Sequence, residues 1–199
     1  MEVYQLFPTA VGKFQYDNIT KKEIDYVTNK IKYGKNAGNT ISEDRDVLTH
    51  KPLKKINDFI ESSLNEYFQT IYKPEAGVSI YTTISWTNIT HKDEWHHKHA
   101  HPNSFLSGVF YFQTTADDRI HFFKEGYKQL SPVTTEFNMY NSETWWYPAE
   151  TGRLLIFPSS TFHEVYIVKH DTPRISLSFN TWLRGPIGDK HASSYFYSK

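Results

Sequence analysis

The sequence predicts an α+β protein that is mainly β, with helices packed against one sheet of a β-sandwich or jelly roll. Three observations carry that prediction. Helical periodicity is confined to the part of the chain before residue 76. From Val78 onward the pattern changes to short strand-like segments, with Gly, Pro, Asn and Asp between many of them. The chain also holds 14 Tyr, 14 Phe and 5 Trp, residue types that suit a pleated, half-buried surface.

The elements follow in order. Tyr4 to Phe7 and Val11 to Tyr16 read as short strands separated by Pro8. Thr20 can cap a helix, with Glu23 completing a capping box. Ile24, Val27 and Ile31 follow at helical spacing, and Gly34 is a plausible stop. Residues 34–46 are polar and turn-rich, which predicts a surface loop. Thr49 can cap a second, longer helix with Pro52 in its first turn. On it, Leu53, Ile56, Phe59, Ile60, Leu64, Tyr67, Phe68 and Ile71 form one apolar stripe. The candidate strands after that are 78–90, 96–101, 105–113, 119–124, 133–138, 152–157, 163–169 and 173–183. The expected organisation is one domain over 1–199: supporting strands and helices in 1–76, a β core in 77–183 and a tail in 184–199. The tail lacks a period and fits a strap or a disordered end.

Composition narrows the function. With 22 basic and 22 acidic side chains the formal net charge is zero, so nothing points to nucleic acid or to an anionic membrane. There is no Cys, hence no disulfide framework and no thiolate site. Any metal must be held by imidazole and oxygen, which suits iron, zinc, copper, nickel or manganese. The first residues lack the basic and apolar regions of a signal peptide, and no apolar run reaches transmembrane length. The expected location is the cytoplasm, or the host cytoplasm for a virus-encoded protein.

The densest chemistry lies in WHHKHAHPNSFLSGVFY, Trp95 to Tyr111, with His91 just upstream. If Trp95 to His101 is extended, His97, His99 and His101 share one face and His96 points the other way. Two imidazoles of that face can converge on one ion. Alternation allows either His99 with His101 or His97 with His99 as the local pair. A third ligand candidate is His163, which opens a strand after the turn at Pro158 to Thr161. Eleven residues later comes PRISLSFNTW, in which Arg174, Ser176, Ser178 and Asn180 share one face and Ile175, Leu177 and Phe179 the other. An Arg-x-Ser pair can grip a carboxylate, the guanidinium as a fork and the hydroxyl as a further donor. The apolar face then needs a cover, and the stripe from Leu53 to Ile71 supplies one.

Taken together, His99-x-His101, SGVFY at 107–111, His163 and Arg174-x-Ser176 resemble the iron(II)/2-oxoglutarate-dependent oxygenases. The likeness is closest to a bacterial and phage group with HxHPxSxxSGVYY-type motifs, and more distant to prolyl hydroxylases. SWTN at 85–88, LIFPS at 155–159, SFN at 178–180 and, more weakly, LFPT near the start also match. The resemblance covers roughly residues 80–183. It implies a double-stranded β-helix with N-terminal helices on its major sheet and iron between its two sheets. It implies His99, His101 and His163 as metal ligands, with His101 standing where most of the superfamily has Asp or Glu. It implies that Arg174, Ser176 and Tyr111 bind 2-oxoglutarate by its distal carboxylate, and that Trp86 and Asn88 line the pocket. Apart from the resemblance, His121 fits three positions: lining the cavity, behind the ligands or on the surface.

The implied activity is O₂-dependent hydroxylation of a substrate C–H bond, with decarboxylation of 2-oxoglutarate to succinate. The substrate, peptide, protein or small metabolite, is not readable. Two alternatives stay open: a three-histidine cupin-like dioxygenase without 2-oxoglutarate, and a non-catalytic jelly-roll module. Trp145, Trp146 and Tyr147 fit either a flap at the cavity mouth or core packing. A homodimer is carried as an open expectation.

Overall fold

The computed structural model describes residues 1–126 and 130–199. Its first regular elements follow from local chemistry. After strand β1 (Gly12–Gln15), Thr20 caps helix α1 (Lys21–Asn29). Thr20 Oγ1 accepts from the Glu23 amide at 3.2 Å, and the Glu23 carboxylate accepts from the Thr20 amide at 2.7 Å. That reciprocal pair satisfies two amides that the helix start would otherwise leave unpaired.

The segment expected as a loop, 34–46, instead carries most of a hairpin, β2 (Tyr33–Lys35) and β3 (Thr40–Ser42). Its turn is closed by the Asn36 amide donating to the Asn39 carbonyl at 2.9 Å, with Gly38 at φ +84°. A polar, turn-rich sequence becomes a strand pair here because β3 finds a long neighbour, β4 (Ser79–Thr90). Thr49 does not cap the second helix. Its hydroxyl donates to the Asp46 carbonyl at 2.7 Å, which ties it into a short 3-10 turn. Helix α2 (Lys54–Tyr72) begins after a second such turn and has no side-chain cap. Tyr4 to Phe7 lie outside any strand and are exposed.

The remaining strands are β5 (His96–His99), β6 (Leu106–Gln113), β7 (Arg119–Phe123), β8 (Thr144–Pro148), β9 (Arg153–Pro158), β10 (His163–Val165), β11 (Arg174–Ile187) and β12 (Phe196–Ser198). Residues 133–138 form no strand, and the adjoining Asn138 and Asn141 side chains bond to nearby backbone, which favours turns over a ladder. The Trp145–Tyr147 segment, open between flap and core from sequence, is the middle of β8 and pairs with β7 as a sheet edge. The expected strand at 163–169 ends at Val165, because the Val168 amide turns to the Glu94 carbonyl at 2.9 Å.

Two antiparallel sheets result. The large one runs β1-β9-β6-β11-β4-β3-β2, with β12 added beside the end of β11, and the small one runs β5-β10-β7-β8. From β4 to β11 the chain shuttles between the sheets: β4 large, β5 small, β6 large, β7 and β8 small, β9 large, β10 small, β11 large. This winding is the double-stranded β-helix, or jelly roll. The tail is a strap, since Gly185 to Ile187 pair with Phe196 to Ser198.

The expected apolar cover is present. Leu53, Ile56, Ile60, Leu64 and Tyr67 share one buried cluster with Ile175, Leu177 and Phe179 of β11 and with Leu106, Phe110 and Phe112 of β6. The stripe stops a turn early, because Ile71 is 47% exposed. A smaller cluster, including Val109, Ile120, Phe122, Leu155 and Phe157, fills the space between the sheets. The polar half of β11 is thereby turned away from the helices and into the sandwich.

Candidate active site

Topology decides which histidines meet. Strands β5 and β10 are neighbours in the small sheet, and His163 lies directly opposite His99. Side chains opposite each other in an antiparallel pair stand close enough for contact, and these two ring centroids are 4.4 Å apart. His101 follows just past the end of β5, where its amide donates to the Ser159 carbonyl at 2.9 Å. Its ring lies 4.8 Å from that of His99 and 5.1 Å from that of His163. One ring nitrogen from each of the three falls within 4.8 Å of the others, so the trio could hold a metal ion.

Two of the rings are oriented by the backbone. His99 Nδ1–H donates to the His97 carbonyl at 2.8 Å, and His163 Nδ1–H to the Thr161 carbonyl at 2.9 Å. A carbonyl only accepts, so the proton sits on Nδ1 and Nε2 keeps its lone pair. Burial then holds the rings neutral. It pulls His101 down to about 3, helped by the neighbouring His163, His99 and His96. It pulls His163 down to about 4, helped chiefly by His99 and opposed by the Thr161 carbonyl. Burial lowers His99 as well. Neutral imidazoles at pH 7 are the form that binds a metal.

The strand alternation expected for the histidines fails at one point. The β5–β10 register slips between His163 and Val165, which face His99 and His96, so β5 carries an extra residue there. Such a bulge re-aims side chains. His96, expected on the opposite face, therefore lines the same cavity as His99 and stacks on it at 4.6 Å and 27°. Burial first, then the adjacent histidines and Arg174, pulls it down to about 3. His97 is turned out and exposed, although its ring still lies 5.0 Å from that of His99. Nothing in composition or periodicity signals the bulge.

The opposite wall comes from the large sheet. Ser176 on β11 lies between Asn88 on β4 and Tyr111 on β6, and Ser178 lies between Trp86 and Val109. All of these line the cavity, together with Arg174 and His163. Arg174 is 3% exposed. It donates through Nη2 to Tyr111 Oη and through Nη1 to the Arg119 carbonyl, each at 3.1 Å. Among the described residues no carboxylate pairs with it. Burial raises the Tyr111 hydroxyl above its usual range, against the pull of Arg174, so it stays protonated. Trp86 packs on His101 at 5.7 Å.

Other sequence signals have structural explanations. His121 is not in the cavity; it stacks on Tyr166 at 3.8 Å. The serines of the PNSFLSG motif join a buried hydroxyl chain: Ser159 Oγ donates to Ser104 Oγ at 2.7 Å, Ser107 and Ser159 hydroxyls meet at 2.7 Å, and Ser107 donates to Asn180 Oδ1 at 2.8 Å. That chain ties the loop carrying His101 to β9 and β11. Within LIFPS and SFN, Ser159 and Asn180 thus hold the site's frame, while Phe157 and Ser178 line the cavity.

Several solved structures share this fold. An oxidoreductase of the 2OG-Fe(II) oxygenase family from Burkholderia pseudomallei has 14% identity and a TM-score of 0.56, over 79% of this chain and 75% of its own. A prolyl-4-hydroxylase from Pseudomonas putida has 10% identity and a TM-score of 0.56, over 88% and 92%. HygX from Streptomyces hygroscopicus, solved with nickel, 2-oxoglutarate and hygromycin B bound, has 10% identity and a TM-score of 0.55, over 87% and 82%. No curated protein matches the chain in sequence. The family model described as "Putative 2OG-Fe(II) oxygenase" matches residues 84–180. That span contains every residue lining the histidine cavity, and the chain belongs to the 2OG-Fe(II) oxygenases, oxidoreductases that use iron(II) and 2-oxoglutarate.

Proposed function

We propose that His99, His101 and His163 hold the iron and that Arg174, Ser176 and Tyr111 hold the distal carboxylate of 2-oxoglutarate, in an enzyme that hydroxylates a substrate C–H bond. The observation that carries this reading is Arg174. A buried guanidinium without a carboxylate partner is costly to leave so, and this one faces the same cavity as the histidine trio. A dicarboxylate reaching from the metal to Arg174 would supply the missing charge.

The donor set fits iron(II). Imidazole nitrogens are suitable ligands, and an ion held by only His99, His101 and His163 would keep coordination positions for the cosubstrate and O₂. With His101 in place of a carboxylate, the site is more positive by one charge than a two-histidine, one-carboxylate set. When bound, iron and 2-oxoglutarate would let O₂ act as the oxidant: the cosubstrate would give up two electrons and leave as succinate and CO₂, and the substrate C–H bond would give up the other two. The chain's own part is to orient and exclude. The His97 and Thr161 carbonyls set the ring tautomers, Tyr111 fixes the guanidinium fork, and Phe157, Ile120 and Val109 keep the cavity apolar between its polar ends. No helix among the described residues is long and apolar enough to cross a membrane. We infer a cytoplasmic enzyme.

The test is 2-oxoglutarate turnover and binding. Wild-type protein with Fe(II) and O₂ is expected to form succinate, even without its substrate. Arg174→Ala is expected to weaken 2-oxoglutarate binding by about 30- to 1,000-fold, the scale of removing one partner from a buried charge pair. Unchanged affinity by calorimetry would reject Arg174 as the anchor.

A further inference from the structure

The bulge in β5 gives the chain a second group of convergent histidines. One ring nitrogen each from His96, His97 and His99 lies within 4.8 Å of the others. Their ring centroids are 5.1, 4.6 and 5.0 Å apart. The triangle closely resembles that of His99, His101 and His163, at 4.8, 4.4 and 5.1 Å. Two features set it apart from the inner trio. It opens outward, since His97 is exposed and lines a surface groove with Trp95, Glu164 and Tyr166. Its two unshared rings also have no hydrogen-bond partner among the described residues, so their nitrogens are free.

We propose that His96, His97 and His99 form an outer site for a borderline divalent cation of the zinc, nickel or copper class, which competes with the inner trio for His99. The donors are imidazoles alone, which suits those ions and disfavours calcium and magnesium. Zn–N bonds of about 2.0–2.1 Å at tetrahedral angles put the nitrogens about 3.3 Å apart, so rings whose nitrogens lie within 4.8 Å must draw together on binding. The exposed His97 side chain is free to make that movement. Competition follows from proton bookkeeping on one ring. A neutral imidazole offers a single lone pair, and His99 Nδ1 carries the proton donated to the His97 carbonyl. His99 can therefore serve one ion at a time. An ion in the outer site withdraws a ligand from the inner one, so occupation of either site excludes occupation of the other.

The experiment titrates Co²⁺ into the full chain without oxygen and follows its visible absorption. His101→Gln breaks the inner trio and leaves the outer one whole. It is expected to bind one Co²⁺ per chain, and adding His97→Gln is expected to weaken that binding at least tenfold. Equal affinity in the single and double variants overturns the proposal, and so does a failure of His101→Gln to bind. Wild-type protein is expected to saturate at one Co²⁺, and saturation at two would overturn the competition for His99. Far-UV circular dichroism checks each variant; if His101→Gln loses its fold, His163→Gln breaks the inner trio from the other strand and takes its place. None of these readouts depends on 2-oxoglutarate turnover.

Discussion

Tyr111 is the residue on which the anion end of the cavity depends. It is fully buried, and its hydroxyl accepts from Arg174 Nη2 at 3.1 Å while the guanidinium carbon lies 4.9 Å from its ring centroid. Tyr111→Phe keeps the ring and deletes the acceptor, leaving a charged N–H buried without a partner. The expected loss is about 1–3 kcal/mol of stability in the cosubstrate-free protein, read by chemical denaturation. No measurable loss would mean that water already satisfies the guanidinium. The Arg-x-Ser pair was legible in advance as a carboxylate grip from residue type and strand face, and Tyr111 entered through the family resemblance alone. The direct hydrogen bond between Arg174 and Tyr111 was not legible, since the two are far apart in the chain. His96 is the reverse case. Its chemistry was plain and its direction was misjudged, because the alternation rule assumes an unbroken ladder and β5 breaks it beside the metal ligands.

At the scale of elements, the SGVFY strand illustrates how a motif can serve packing and chemistry at once. Ser107, Val109 and Tyr111 face the space between the sheets, while Leu106, Phe110 and Phe112 face the helices. Gly108 belongs to the helix side and pairs with Phe179 on β11. A Cβ placed there would lie 2.2 Å from Phe179 Cζ, and Phe179 has no exposed surface through which to yield. Gly108→Ala is expected to cost about 1–3 kcal/mol by overpacking. Because β6 also carries Tyr111, the variant is expected to weaken 2-oxoglutarate binding too, measured alongside the denaturation midpoint. A variant as stable as wild type would show that β6 and β11 can slide apart. Helix α1 was readable to its capping box because caps are local. The hairpin β2–β3 and strand β8 were not, because each is a strand only by virtue of the strand beside it.

The whole molecule couples folding to loading. Inner trio and arginine stand on opposite sheets, His99 and His163 on the small one and Arg174, Ser176 and Tyr111 on the large one. A metal and a dicarboxylate bridging them would clamp the sandwich. Each ligand at one hundred times its Kd would contribute about 2.7 kcal/mol, and a chain of this size shifts by about 2–4 °C per kcal/mol. Mn²⁺ with 2-oxoglutarate, without oxygen, is therefore expected to raise Tm by about 5–10 °C beyond the shift given by Mn²⁺ alone. In Arg174→Ala that extra rise is expected to fall to about a third or less at the same ligand concentration. An equal rise in both proteins would argue that the cosubstrate lies elsewhere.

The sequence by itself determined the class of chemistry and the layering. Four histidines within seven residues, a distant histidine, an Arg-x-Ser strand and an apolar helical stripe pointed to a metal and a carboxylate beneath a helical cover, because periodicity and donor type are local properties. The family resemblance chose among the readings they left open. The tertiary structure alone decided who meets whom. Pairing β5 with β10 sets His163 against His99, one extra residue in β5 turns His96 inward and His97 outward, and the register of β11 against β6 gives Arg174 its tyrosine. These outcomes depend on hydrogen-bond register between strands remote in the chain, and a one-residue slip in register reverses every side chain it touches.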